Sequence, residues 1–176
     1  MAKEKQKKGR VTDRPVILTV DPGLSGTGVA IWDAELFDQG LGYPLYTHSW
    51  GRKGATPYYK LFSDLLDEYQ PERVYCEGQA YMPRGAGLIC AKSGALVKLS
   101  NFAGAIEGIC YAHGCDFVRV MVANWKGNRS KDKIKAMIRT KWADVTCTNH
   151  DWDAVGIGFY AKSAMGRARY TKKASD

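Results

Sequence analysis

The stretch Val16-Ile-Leu-Thr-Val-Asp21-Pro-Gly23-Leu-Ser-Gly26-Thr27-Gly28-Val-Ala-Ile31 constrains the fold more than any other part of the chain. An apolar, β-branched run ends in one carboxylate, glycines turn the chain, and a second apolar run begins. This pattern predicts two antiparallel strands with Asp21 near the end of the first, held by strand backbone rather than by a mobile loop. Gly23, Gly26 and Gly28 are expected to allow positive φ and to let a phosphate or metal approach the main chain closely. Taken alone, Asp21 reads as readily as a solvated hairpin acid; its meaning depends on acidic residues further along.

Val16 to Asp21 and Thr27 to Asp33 are the first two expected strands, and Leu45 to Trp50 alternates as a third would, completing an antiparallel meander. Pro57 to Tyr69 has apolar residues at helical spacing with Pro near its start, and Pro71 stops it. Arg73 to Glu77 is a short strand that again ends in a carboxylate. Gly78 to Gly87 is a flexible loop by its three glycines and proline. One long helix is expected from Leu88 to about His113. Its apolar stripe runs through Ala91, Ala95, Leu96, Leu99, Phe102, Ala103, Ile106 and Ile109, with Gly94, Gly104 and Gly108 leaving room for close packing. Asp116 to Val122 is a fifth strand. Helices follow at Ser130 to Trp142, capped by Ser130, and at His150 to Met165, with Asn149 placed to cap it. The order β-β-β-α-β-α-β-α-α implies α/β layers: a five-stranded mixed sheet flanked by helices. No repeat and no second domain is visible. Residues 1–14 read as a disordered basic arm, 15–166 as the folded domain and 167–176 as a basic tail.

Three acidic positions stand at element ends: Asp21, Glu77 and Asp153, the last in the first turn of the final helix. His150 precedes Asp153 by three residues, so a helix brings both to one face, about 5–6 Å apart at Cβ. Asp151 points elsewhere and reads as a cap or a solvated acid. Converging carboxylates repel unless a cation lies between them. Oxygen-rich donor sets suit Mg²⁺ or Mn²⁺ better than zinc. Two such ions can activate water and stabilise the leaving oxygen in phosphodiester hydrolysis. The partner argument runs the same way, because 26 Lys and Arg against 18 Asp and Glu leave a net charge of +8, which favours a polyanion.

Asp21-Pro-Gly-x-x-x-Thr27-Gly28, a strand-terminal Glu77 and His150-x-x-Asp153-Ala154 resemble the signature of RuvC-type Holliday junction resolvases, members of the RNase H-like nuclease superfamily. The resemblance runs in order from about Val16 to Ala164. It implies an RNase H-like fold and a metal-dependent endodeoxyribonuclease making paired nicks in branched DNA as a homodimer. Asp21, Glu77, His150 and Asp153 would ligate two divalent ions, with His150 either a ligand or the base for the attacking water. Lys126 and Lys131 match basic positions that hold the scissile phosphate or stabilise its developing charge, making Lys131 a candidate catalytic group. Arg129 and Lys133 extend the same DNA-contacting stretch. Tyr81 and Arg84 fall in the loop near a family aromatic that stacks on bases, although the Glu77–Tyr81 spacing is one residue longer than the bacterial pattern. The basic arm and Trp125 also depart from that pattern and suggest a divergent, phage-encoded branch. The helix after Glu77 falls where the family dimerises.

Each residue has a plainer reading. His150 fits a helix cap, Lys126 to Lys135 a solvated helix face, and Tyr81 a core cover. A non-catalytic branched-DNA-binding protein of the same fold is the alternative function. Actin-like ATPases share the Asp-x-Gly turn but need two such domains, and a terminase-type nuclease would carry an attached ATPase. With no signal peptide and no run of roughly 18 apolar residues, and with five cysteines lacking a Cys-x-x-Cys pair, reduced thiols in a cytoplasmic protein of a bacterial or phage-infected cell are expected.

Overall fold

The computed structural model describes residues 13–51, 58–79, 89, 92–143 and 147–173, the last of these from 165 onward as backbone only. Five strands form one sheet in the order β3-β2-β1-β4-β5. They are β1 (Val16–Asp21), β2 (Gly26–Asp33), β3 (Pro44–Gly51), β4 (Arg73–Gly78) and β5 (Asp116–Met121). The first three form the expected antiparallel meander, while β4 runs parallel to β1 and β5 parallel to β4. The helices are α1 (Ala34–Asp38), α2 (Tyr58–Tyr69), α3 (Ala95–Ala112), α4 (Val122–Trp125), α5 (Lys131–Lys141) and α6 (Asp151–Lys173).

The central strand explains the layering. All six residues of β1 are buried, as a strand covered on both faces requires, and its sequence is accordingly a continuous apolar run. Val16, Leu18 and Val20 pack with α2 and α3 through Phe62, Leu66, Ala103 and Ile106. Ile17 faces the opposite way, into a core of Trp32, Phe37, Trp125, Ile134, Val155 and Ile157. Side-chain alternation therefore sends Asp21 and Glu77 to the same face, the one covered by α6. The β1–β4 register pairs Val20 with Cys76, so these two carboxylates lie one step beyond, at the ends of neighbouring parallel strands.

Close contact between α6 and the sheet requires small residues. A Cβ on Gly28 would collide with the main chain of His150, and one on Gly158 with the Trp32 ring. Trp32 Nε1–H donates to Thr19 Oγ1 at 2.9 Å, and the Thr19 hydroxyl donates to the Ala154 carbonyl at 2.8 Å. This buried relay joins β2, β1 and α6. Further along α6, buried Lys162 donates to the Gly42 carbonyl and lies 4.5 Å from the Phe159 ring centre. Burial pushes its pKa down to about 8.

Several boundaries differ from the sequence reading. The expected helix from Leu88 to His113 is interrupted: Ile89 and Lys92 are helical, and the Ser93 N–H donates to the Ile89 carbonyl, but Gly94 takes the left-handed conformation at φ 71° and α3 restarts at Ala95. A Cβ on Gly104 or Gly108 would meet nothing within 4 Å among the described residues, so their smallness serves no packing there. Two short helices were not expected: α1, capped by Asp33, which accepts from the Leu36 N–H at 3.0 Å, and α4, entered where β5 ends at Met121. The last helix starts at Asp151 and continues through Lys173, so positions 167–173 of the expected tail have helical backbone. At its start Asp151, rather than Asn149, caps the turn, accepting from the Thr148 N–H and hydroxyl at 2.9 and 2.7 Å. Of the arm, only Asp13 and Arg14 are described, and Arg14 pairs with Asp33 at 3.4 Å. Cys76, Cys110, Cys115 and Cys147 are free thiols, while Cys90 lies outside the described residues. No helix among the described residues is long and apolar enough to cross a membrane.

Replacing Thr19 by the isosteric Val removes the relay and leaves the buried Trp32 N–H without its acceptor. Unfolding in urea should show a loss of about 2–3 kcal/mol. A loss below about 1 kcal/mol would contradict the role given to this hydroxyl.

Candidate active site

Asp21, Glu77 and Asp153 each retain only 8 % exposure. They reach one end of the sheet from β1, β4 and the first turn of α6. His150, in the turn before α6, places Nδ1 3.3 Å from Asp21 Oδ2. Its ring rests on the β1–β2 turn: a Cβ on Gly26 would stand 2.8 Å from His150 Cδ2, and one on Gly23 would stand 3.2 Å from Cε1. This corrects the expectation for the turn glycines. None of Gly23, Gly26 and Gly28 is among the glycines with positive φ; Gly26 and Gly28 are small because His150 lies against them, and Gly23 because the Gly26 carbonyl and then the imidazole do.

Lys126 follows α4 and Lys131 opens α5, and both converge on Asp153. Lys126 Nζ is 3.3 Å from Oδ1, and Lys131 Nζ is 3.2 Å from Oδ2. Ser130 caps α5 as its sequence suggested, accepting from the Lys133 N–H and so aiming Lys131 from the first turn. Glu77 is held differently. Gln79 Nε2 donates to Oε1 at 2.8 Å and Trp125 Nε1 to Oε2 at 2.9 Å. Neither partner was recognised as a site residue from the sequence. From the sequence Trp125 stands out as a departure from the bacterial pattern beside Lys126, not as a partner of Glu77, and a helix of four residues is too short for hydrophobic periodicity to reveal.

The charges of the cluster are strongly interdependent. Burial and the neighbouring Asp21 carboxylate push Glu77 up to about 7, against the opposing pull of its two hydrogen bonds. Burial and Asp153 raise Asp21, which the His150 hydrogen bond counteracts, and the same bond raises His150. Such a set of carboxylates is short of positive charge, and its oxygen-rich donors suit a hard divalent cation. Among the described residues, however, no three His, Cys, Asp or Glu groups stand at metal-holding spacing; Asp153 faces the two lysines and Asp21 faces His150. By donor chemistry the residues fit divalent ions, with the lysines as the counter-charge in the ion-free chain.

The remaining sequence candidates divide. Arg129 is exposed, its Nη1 3.4 Å from the Trp125 and Lys126 carbonyls. Lys133 is exposed on the first turn of α5. Tyr81 and Arg84 lie outside the described residues.

No family model and no curated protein matches the sequence. Solved structures do match. Thermus thermophilus RuvC in complex with a Holliday junction substrate aligns at a TM-score of 0.61 and 14% identity, over 89% of this chain and 96% of that one. A second Thermus thermophilus RuvC structure gives 0.59 and 18%, over 89% and 96%. The fowlpox virus Holliday junction resolvase gives 0.54 and 15%, over 86% and 99%. At these identities the similarity establishes the fold, the RNase H-like fold of RuvC and the poxvirus resolvase.

The raised pKa of Glu77 has a stability consequence in metal-free buffer. Between its ordinary value of 4.5 and about 7 the folded chain holds a proton that the unfolded chain has lost. Stability should therefore fall as pH rises through that window, by up to about 1.4 kcal/mol per pH unit for one proton. Urea titrations in EDTA from pH 5 to 8 should show this slope in the wild type and its reduction in Glu77→Gln. An undiminished slope in the variant would assign the titration elsewhere.

Proposed function

We propose that this chain is a metal-dependent, structure-selective endodeoxyribonuclease that resolves Holliday junctions and other branched DNA. The observation that carries the reading is the convergence of Asp21, Glu77 and Asp153, with Lys126 and Lys131, at one sheet end of a fold shared with two resolvases. Asp21, Glu77, Asp153 and His150 would hold two Mg²⁺ or Mn²⁺ ions. Bound there, the ions supply an activated water and neutralise charge on the phosphate.

The chain's own groups do the rest. As the alternative to ligating an ion, His150, with its Nδ1–H given to Asp21, would accept the proton of the attacking water at Nε2. Lys126 and Lys131, which meet Asp153 at the same sheet end, would stabilise charge developing on the phosphate oxygens. Arg129 and Lys133 would grip the flanking backbone, and Tyr81 and Arg84, outside the described residues, keep the DNA-contacting role that the resemblance implies. Paired nicks need two sites, and α3 offers a face for a second copy. Val97 and Tyr111 are 62% and 64% exposed, and helical spacing places them on one stripe with the open Gly104 and Gly108.

One observation favours the alternative of a branched-DNA-binding protein that does not cut: Asp153 is neutralised by two lysines, and the acids are not at metal-holding spacing. A labelled immobile four-way junction, incubated with and without Mg²⁺ or Mn²⁺ beside linear duplex and a Y-fork, separates the two. Metal-dependent paired cuts are expected, abolished in Asp21→Asn and slowed about 10²-fold or more in Lys131→Ala. Tight, salt-sensitive binding with no cut under any metal would establish the alternative.

A further inference from the structure

Trp125 sits at the end of α4 with 3% exposure, and its ring has little freedom to move. A Cβ on Gly156 would stand 2.7 Å from ring atom Cζ3, and Ile134 lies against the same spot. An indole N–H is a donor only, so a buried one needs an acceptor, and any main-chain carbonyl would serve. Here the acceptor is the Glu77 carboxylate at 2.9 Å. Because Gln79 takes the other oxygen at 2.8 Å, both Glu77 oxygens receive an N–H from this chain and the carboxylate plane cannot rotate. A charge-assisted bond to a fixed aromatic donor is a strong orienting contact.

The next residue completes the arrangement. Lys126 Nζ lies 5.2 Å from the Trp125 ring centre and 3.3 Å from Asp153 Oδ1. Gly127 then turns the chain at φ 55°. Two consecutive side chains thus reach carboxylates that arrive from different elements, β4 and α6.

We propose that Trp125 is a positioning residue for Glu77: its indole N–H locks the carboxylate in the orientation used to bind a divalent ion. This rests on the reading of Glu77 as an ion-binding group. Partners that orient a ligand characteristically contribute 10- to 100-fold in metal affinity, so removing this one donor has a measurable effect without deleting a ligand.

Trp125→Phe removes the N–H and keeps an aromatic ring in the slot. Thermal melts report its folding, calorimetry with Mn²⁺ its ion affinity, and single-turnover cleavage of a four-way junction its rate. Indole N–H resonances of ¹⁵N-tryptophan-labelled wild type and Glu77→Gln, with Trp125 assigned by its loss in Trp125→Phe, give an activity-free readout. The variant is expected to melt as a folded protein, bind Mn²⁺ about tenfold or more weakly and cut correspondingly slowly at limiting metal, with junction affinity in EDTA unchanged. The Trp125 indole resonance should move on adding Mg²⁺ and in Glu77→Gln. Wild-type Mn²⁺ affinity in a folded Trp125→Phe, or an indole resonance indifferent to both Mg²⁺ and Glu77→Gln, would overturn the proposal alone. Absence of Mn²⁺ binding by the wild type would instead overturn the reading of Glu77, and this proposal with it.

Discussion

The hydroxyl of Thr19 governs how the two halves of the acidic cluster meet. It lies two residues before Asp21 on β1 and donates to the carbonyl of Ala154, the residue after Asp153 on α6. One buried bond therefore sets strand and helix in a register that brings both carboxylates to the same end of the sheet. Trp32 reinforces it by donating to the same hydroxyl while its ring packs edge-on against Phe37 and Phe159. The approach is possible only because Gly28 and Gly158 carry no side chain where His150 and Trp32 press in. A polar bond inside an apolar core has a directional preference that packing alone lacks, so it specifies one alignment of α6 among the several that would bury the same surface.

That alignment concentrates negative charge in a chain that is otherwise basic. Three buried carboxylates meet two lysines and an imidazole, and burial, together with their mutual repulsion, raises Glu77 and Asp21. The balance is held by residues from every surrounding element: Lys126 after α4, Lys131 from α5, His150 before α6 and Gln79 after β4. Under the proposed reading, a divalent cation held among these carboxylates would relieve that repulsion. Lys126 and Lys131, both paired with Asp153, supply the positive charge that the same reading assigns to a phosphate backbone.

Much of this is legible in the sequence. The β1–β2 hairpin, the ends of β4, the cap at Ser130 and the four acidic and imidazole positions all follow from patterns a few residues long. Local signals misled where a single backbone angle or a very short element decided the outcome. Gly94 interrupts what periodicity joined into one helix, and α4 is too brief to leave a periodic trace. The turn glycines look like conformational devices, yet Gly26 and Gly28 serve to admit the side chain and backbone of a segment more than a hundred residues away.

The sequence by itself determined which strand residues point together, because alternation along β1 and β4 is a property of the extended chain. It also determined the charge balance and the acidic positions. Only the tertiary structure decided that β4 pairs beside β1, that Asp21 takes His150 while Asp153 takes the lysines, and that Trp125 is the partner of Glu77. These outcomes depend on contacts between distant segments, whose energies come from burial and mutual fit rather than from any local pattern. For Trp125 the deciding facts are the space above Gly156 and a buried donor in need of an acceptor, and neither exists until α6 has docked.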